Sequence, residues 1–133
     1  MAKRPSNVVI LSFLLFCLAS GSAYLLYVRN TRITLELNQI FGMKIEQVAA
    51  SPVTIKISGT AAHSAFVVSK ITSSQTHDRL EIFVYLTLVT VAPKGLTGNL
   101  EYFFVVPMSV NTVTFGNEKT VIWNRDTGSL RLE

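Results

Sequence analysis

Hydrophobic residues fall along this chain in two different rhythms. Residues 8–28, VVILSFLLFCLASGSAYLLYV, form one apolar run without a charge. At about 1.5 Å per residue, roughly twenty helical residues cross a hydrocarbon core, so the run is long enough for one transmembrane pass. Leu11, Phe13, Leu14, Leu15, Phe16 and Leu18 supply lipid-facing side chains in its first part, and Tyr24, Leu25, Leu26 and Tyr27 in its last. Ser12, Ser20, Gly21 and Ser22 interrupt it. Such small residues are tolerated because a helix satisfies its own backbone polar groups. Tyr24 and Tyr27 followed by Arg29 and Arg32 is the order expected where a helix leaves the bilayer. The competing reading is a signal peptide, with residues 1–7 as the basic start, 8–19 as the apolar segment and Gly21, Ser22 and Ala23 at the cleavage site. Hydrophobicity resumes after Ala23, and a mature start of YLLYV would expose an apolar end, which favours an uncleaved anchor.

From Ile33 the rhythm changes to period two. ITLEL sets Ile33, Leu35 and Leu37 against Thr34 and Glu36; VTIKIS sets Val53, Ile55 and Ile57 against Thr54, Lys56 and Ser58. In RLEIFVYLTLVTV, Leu80, Ile82, Val84, Leu86 and Leu88 share one face. Alternation of this kind marks half-buried strands. AFVVSKI (65–71), NLEYFFVV (99–106), NTVTF (111–115), KTVIWN (119–124) and GSLRL (128–132) read as further strands, with Val121 and Trp123 on one face and Ile122 on the other. SGT, SSQTHD, APKGLTG, FGNEK and RDTG separate them as turns. About seven short strands at this spacing predict an all-β domain, an antiparallel β-sandwich or small barrel, behind one N-terminal transmembrane helix. Residues 29–51 read as a connector holding a strand and, over 40–51, a short helix or loop; 52–133 read as the β domain.

Composition narrows the function classes. Of 133 residues, 15% are charged and the formal net charge is +4. From Arg29 onward ten basic and eight acidic residues leave about +2, scattered along the chain, which does not predict nucleic-acid binding. Cys17 is the sole cysteine, so the domain must be held by its core. Lys3 and Arg4 before the run nearly balance Arg29 and Arg32 after it. The short N-terminus tips the expected topology to N-inside, with the C-terminal domain on the periplasmic or other extracytoplasmic side of the inner membrane.

Candidate chemistry is sparse. No metalloprotease, Cys-x-x-Cys, nucleophile-elbow or phosphate-loop motif occurs, and neither a metal nor a cofactor is expected. His77 and Asp78 are predicted at a hairpin tip; His63 and Ser64 are adjacent, which is not the geometry of a triad. Glu81 and Glu101 would form a carboxylate pair only if their strands were neighbours. The more informative feature is a second apolar face: Phe83, Tyr85 and Val89 on the long strand, Phe103 and Val105 on the next, where an outer face should be polar. Either a segment of the chain covers that face, or a partner, a second copy or the bilayer does. With Arg125, a residue type common at interface anchors, these residues are the candidate partner-binding set. The expectation is a membrane-anchored, non-catalytic interaction module, an envelope-assembly component or an immunity-type protein. A carrier of a small apolar ligand with a cavity lined by Phe104 and Trp123, and a hydrolase using His63 or His77, are the alternatives.

Overall fold

In the computed structural model, residues 7–30 and 33–127 are described. The chain divides into two compact units, Met1–Thr31 and Arg32–Glu133.

The first unit contains helix α1, Asn7–Asn30, with Val8–Tyr27 long and apolar enough to cross a membrane. It runs unbroken through Ser20, Gly21 and Ser22. Each serine hydroxyl is satisfied inside the helix: Ser12 donates to Val8 O (2.8 Å), Ser20 to Phe16 O (2.6 Å) and Ser22 to Leu18 O (2.7 Å). Return bonds of this kind let a polar residue enter lipid without an orphan donor. Leu11, Phe13, Leu14, Leu15, Phe16, Leu18, Tyr24, Leu25, Leu26 and Tyr27 are all exposed on α1. A helix apolar on every side and unburied suits a hydrocarbon surrounding.

The second unit is built of strands in two sheets, as the period-two pattern predicts. The strands are β1 Ile33–Thr34, β2 Ile40–Ala50, β3 Val53–Ala61, β4 Phe66–Thr76, β5 Arg79–Leu88, β6 Asn99–Val105, β7 Thr112–Phe115 and β8 Thr120–Asn124. A 3-10 turn, Leu37–Gln39, follows β1. The predicted strand at 128–132 lies outside the described residues.

β5 organises the first sheet. β4 pairs along its whole length, from Thr76 opposite Arg79 to Phe66 opposite Leu88. Its other edge is shared: β7 pairs with residues 79–82, β1 pairs with Tyr85 and Leu86, and β8 adds to β7. The second sheet has the order β2-β3-β6 and is antiparallel throughout. Leu80, Ile82, Val84 and Leu86 of β5, with Val113, Phe115, Ile122 and Trp123, join Ile45, Ile55, Ile57, Leu100 and Phe104 from the second sheet in one buried cluster.

Three expectations need correction. The domain is not wholly antiparallel, since β5 and β7 run parallel. Between them the chain crosses to the second sheet as β6 and returns, which supplies the long connection a parallel pair requires. Over 40–51, where the pattern suggests a short helix or loop, the chain is strand β2 followed by the turn to β3. Its alternation is hidden by two register shifts, at Phe41/Lys44 and Gln47/Ala49, and by Gly42 at φ +64°. Each bulge moves the following residues to the other face. Val121 and Trp123 do not share an environment: a bulge at Val113/Thr114 buries both Ile122 and Trp123 and leaves Val121 exposed.

Candidate functional site

The outer face of β6 carries two neighbouring exposed apolar side chains. β6 pairs with β3 in unbroken register, with Lys56 opposite Phe103 and Thr54 opposite Val105. Alternation directs Leu100 and Phe104 into the core, so Glu101, Phe103 and Val105 point outward. Phe103 and Val105 are each 53% exposed. Lys56 partly covers Phe103, its ammonium 5.1 Å from the ring centroid, while bonding Glu101 Oε1 at 2.8 Å. The Glu101 hydrogen bond first, then the negative charges of Glu101 and Glu46, hold the Lys56 proton more tightly than usual against the lowering effect of desolvation. β6 ends the second sheet, so its second edge has no strand partner among the described residues. It carries no bulge, whereas the other end strand, β2, has two bulges and the charges Lys44 and Glu46. Bulges and charge are the usual protections of a free edge, and β6 has less of both.

The other members of the candidate set lie elsewhere. Phe83 and Tyr85 are on the outer face of β5, in the other sheet, stacked on each other with centroids 6.5 Å apart and planes 17° apart. Thr72 and Lys70 of β4 stand opposite them, and both rings are half-buried. Val89 lies just beyond β5, exposed, its N–H donating to Ala65 O. Arg125 is occupied within the domain: Nε donates to Val110 O and an Nη to Pro107 O, both at 3.0 Å, and the guanidinium lies 5.3 Å from the Trp123 ring centroid. It ties the 107–110 turn to the end of β8. The set is thus divided between two sheets, a loop and an internal clamp, and only Phe103 and Val105 form an adjacent exposed pair.

The titratable candidates are also placed. His77 and Asp78 form the two-residue turn of the β4–β5 hairpin, as the sequence suggests, with His77 at φ +55°. An open recess of about 280 Å³ beside the turn is lined by Thr76, His77, Asp78, Arg79, Glu81 and Lys119. Lys119 Nζ meets Glu81 Oε1 at 2.9 Å, so opposite charges are paired across it. His63 lies in the β3–β4 connection, edge-on to Phe66 at 6.3 Å. Glu81 and Glu101 belong to different sheets and bond different lysines, so they are not a carboxylate pair. Among the described residues, no three His, Cys, Asp or Glu side chains converge as metal ligands. Phe104 and Trp123 are both in the buried cluster, and neither lines the recess at the hairpin tip.

One structural device joins segments far apart in the chain. The Glu36 carboxylate accepts the backbone N–H of Asn117 (2.9 Å) and of Glu118 (3.3 Å) in the β7–β8 turn. Gly116 begins that turn at φ +73°, and a β-carbon there would collide with the Glu36 carboxylate. In ITLEL, Glu36 reads simply as an outward strand residue, and nothing local announces a partner so distant in the chain. No family model matches this chain, and neither the curated proteins nor the solved structures include a match to it.

Proposed function

We propose that this protein is a single-pass, membrane-held, non-catalytic binding module whose β domain engages a protein partner through the outer face and free edge of β6. The observation that carries this reading is the pairing of two half-exposed apolar side chains, Phe103 and Val105, with an unbulged terminal strand. An extended partner segment would add to the sheet through main-chain hydrogen bonds and place alternate apolar side chains against Phe103 and Val105. The aliphatic stem of Lys56 and the Glu101 carboxylate would border the contact. α1 serves as an uncleaved anchor in the inner membrane, with the domain on the extracytoplasmic side. Anchoring confines the domain to a thin layer beside the bilayer and raises its effective concentration toward partners held there.

Site-specific photocrosslinking in intact membranes tests the reading. A benzophenone amino acid at Phe103 is expected to give one discrete protein adduct, and the same group at Val121, an exposed position in the other sheet, to give none. Adding Val105→Glu to the Phe103 probe should abolish the adduct while the far-UV spectrum of the domain is unchanged. Equal labelling from both positions would reject the β6 surface. The intact mass of the membrane-bound chain tests the anchor; a soluble species beginning near Tyr24 would reject it.

A further inference from the structure

The end of the β domain that the chain enters first gathers exposed apolar side chains from several segments. β1 runs antiparallel to β5, with Ile33 opposite Leu86, so the chain arrives beside the C-terminal end of β5. Three further segments are held there. The start of β4 pairs with the end of β5, and Val89 N–H bonds Ala65 O. The 89–98 loop is fastened by Val68 N–H to Thr97 O (2.9 Å) and Ala61 N–H to Gly98 O (2.8 Å). Phe41 of β2 pairs with Thr60, next to Ala61. Four large apolar side chains at this end are exposed: Ile33, Val89, Leu96 and, at 81%, Phe41. Segments 60–68 and 87–99 of this end contain Lys94 and no aspartate or glutamate; segment 33–41 adds Glu36, whose carboxylate is turned to the β7–β8 turn.

Covalent reach says what this end can meet. From Asn30, the last residue of α1, to Ile33 is three residue steps, which span at most about 11 Å whatever their conformation. Tyr27 closes the apolar span, and three helical residues beyond it add about 4.5 Å. So short a link allows Ile33 to lie within the polar headgroup layer, which is about 5–8 Å deep on each side. Exposed apolar side chains with a basic residue and no unbonded carboxylate are the composition that partitions into that layer.

We infer that the Ile33, Phe41, Val89 and Leu96 end of the domain seats in the headgroup layer of the membrane that holds α1, with Lys94 directed to lipid phosphates. This rests on the anchor reading given above. It leaves β6 free for a partner, because Val105 pairs with Thr54 beside the β2–β3 turn, at the opposite end of β3 from Ala61.

The test uses the full-length chain in vesicles of phosphatidylcholine with a minority of phosphatidylglycerol. In a Cys17→Ser background, single cysteines replace Val89, Leu96, Met108 or Leu15 and carry an environment-sensitive fluorophore. Met108 is the water control, since it is exposed in the loop whose Ser109 bonds Gln75 of the β4–β5 hairpin, away from Val89. Labels at 89 and 96 are expected to lose most of their emission to a lipid-borne nitroxide and little to iodide, and the label at 108 the reverse. If 89 and 96 respond to iodide as 108 does while 15 responds only to the nitroxide, the seating is wrong and the anchor stands. If 15 also responds to iodide, the anchor fails and the seating with it. Shielding of 89 and 96 from both quenchers would mean that a second protein surface covers them, which also overturns the inference.

Discussion

At the residue scale, single side chains decide how distant parts of the domain are joined. Glu36 holds a turn 81 residues away through Asn117 N–H. Replacing it with alanine removes two charge-assisted bonds to exposed N–H groups that water can then reach, so Glu36→Ala is expected to cost about 1 kcal/mol in a urea titration. Gly116→Ala adds a β-carbon at positive φ and against the same carboxylate, so it is destabilising alone. In the Glu36→Ala background the collision is gone and only the backbone term remains; a double-mutant cycle should show that the two changes cost less together than the sum of each. Lys56 gives a pH signature. Its proton is held more tightly in the folded domain than at its ordinary pKa of 10.5. A raised folded pKa contributes stability that is complete below the ordinary value and is lost as pH rises through the folded one. Denaturant midpoints at about pH 9 and about pH 12 should therefore differ less for Lys56→Met than for the parent chain, and an equal difference would remove this role.

At the element scale, β5 and β6 are opposites. β5 is flanked on both edges and its inner side chains lie in the shared core; Ile82 is fully buried. Ile82→Ala should cost roughly 2–5 kcal/mol, read as a lower denaturant midpoint at unchanged slope. β6 is a terminal strand whose outward residues face water, and Phe103→Thr should change stability by less than about 1 kcal/mol. A large loss there would show that the face is structural. Long runs of one rhythm were legible without a structure: the inward side of β5, the inward side of β3, and Leu100 and Phe104 on β6 all lie where alternation placed them. β2 was not, since bulges break its period and only Ile40 and Ile45 along it are buried. β4 extends to Thr76, through the polar SSQT that reads as turn, because an edge strand with β5 on one side needs no apolar outer face.

At the scale of the whole molecule, the apolar helix and the β domain are separate compact units, each with its own reason to be stable. The helix satisfies its backbone internally, and the domain has a core drawn from both sheets. Residues 32–133 expressed alone are expected to show a β-rich far-UV spectrum and one cooperative urea transition. Loss of cooperativity in that fragment would mean that the core depends on the first unit. The full chain should remain in the pellet after alkaline extraction of membranes, and the 32–133 fragment should leave with the supernatant.

Short-range geometry controls the part of this structure that can be read along the chain. A run of about twenty uncharged apolar residues makes a membrane-length helix because backbone groups in lipid must bond internally. Period two makes strands because successive side chains leave a pleated backbone on opposite sides. Which strands are neighbours, and in which direction, is set by packing between distant segments. The parallel β5–β7 pair, the shared second edge of β5, the separation of Phe83 and Tyr85 from Phe103 and Val105, and the bond from Glu36 to the β7–β8 turn all follow from it. Those features join residues far apart in the chain, and alternation along one strand is the same whichever strand lies beside it.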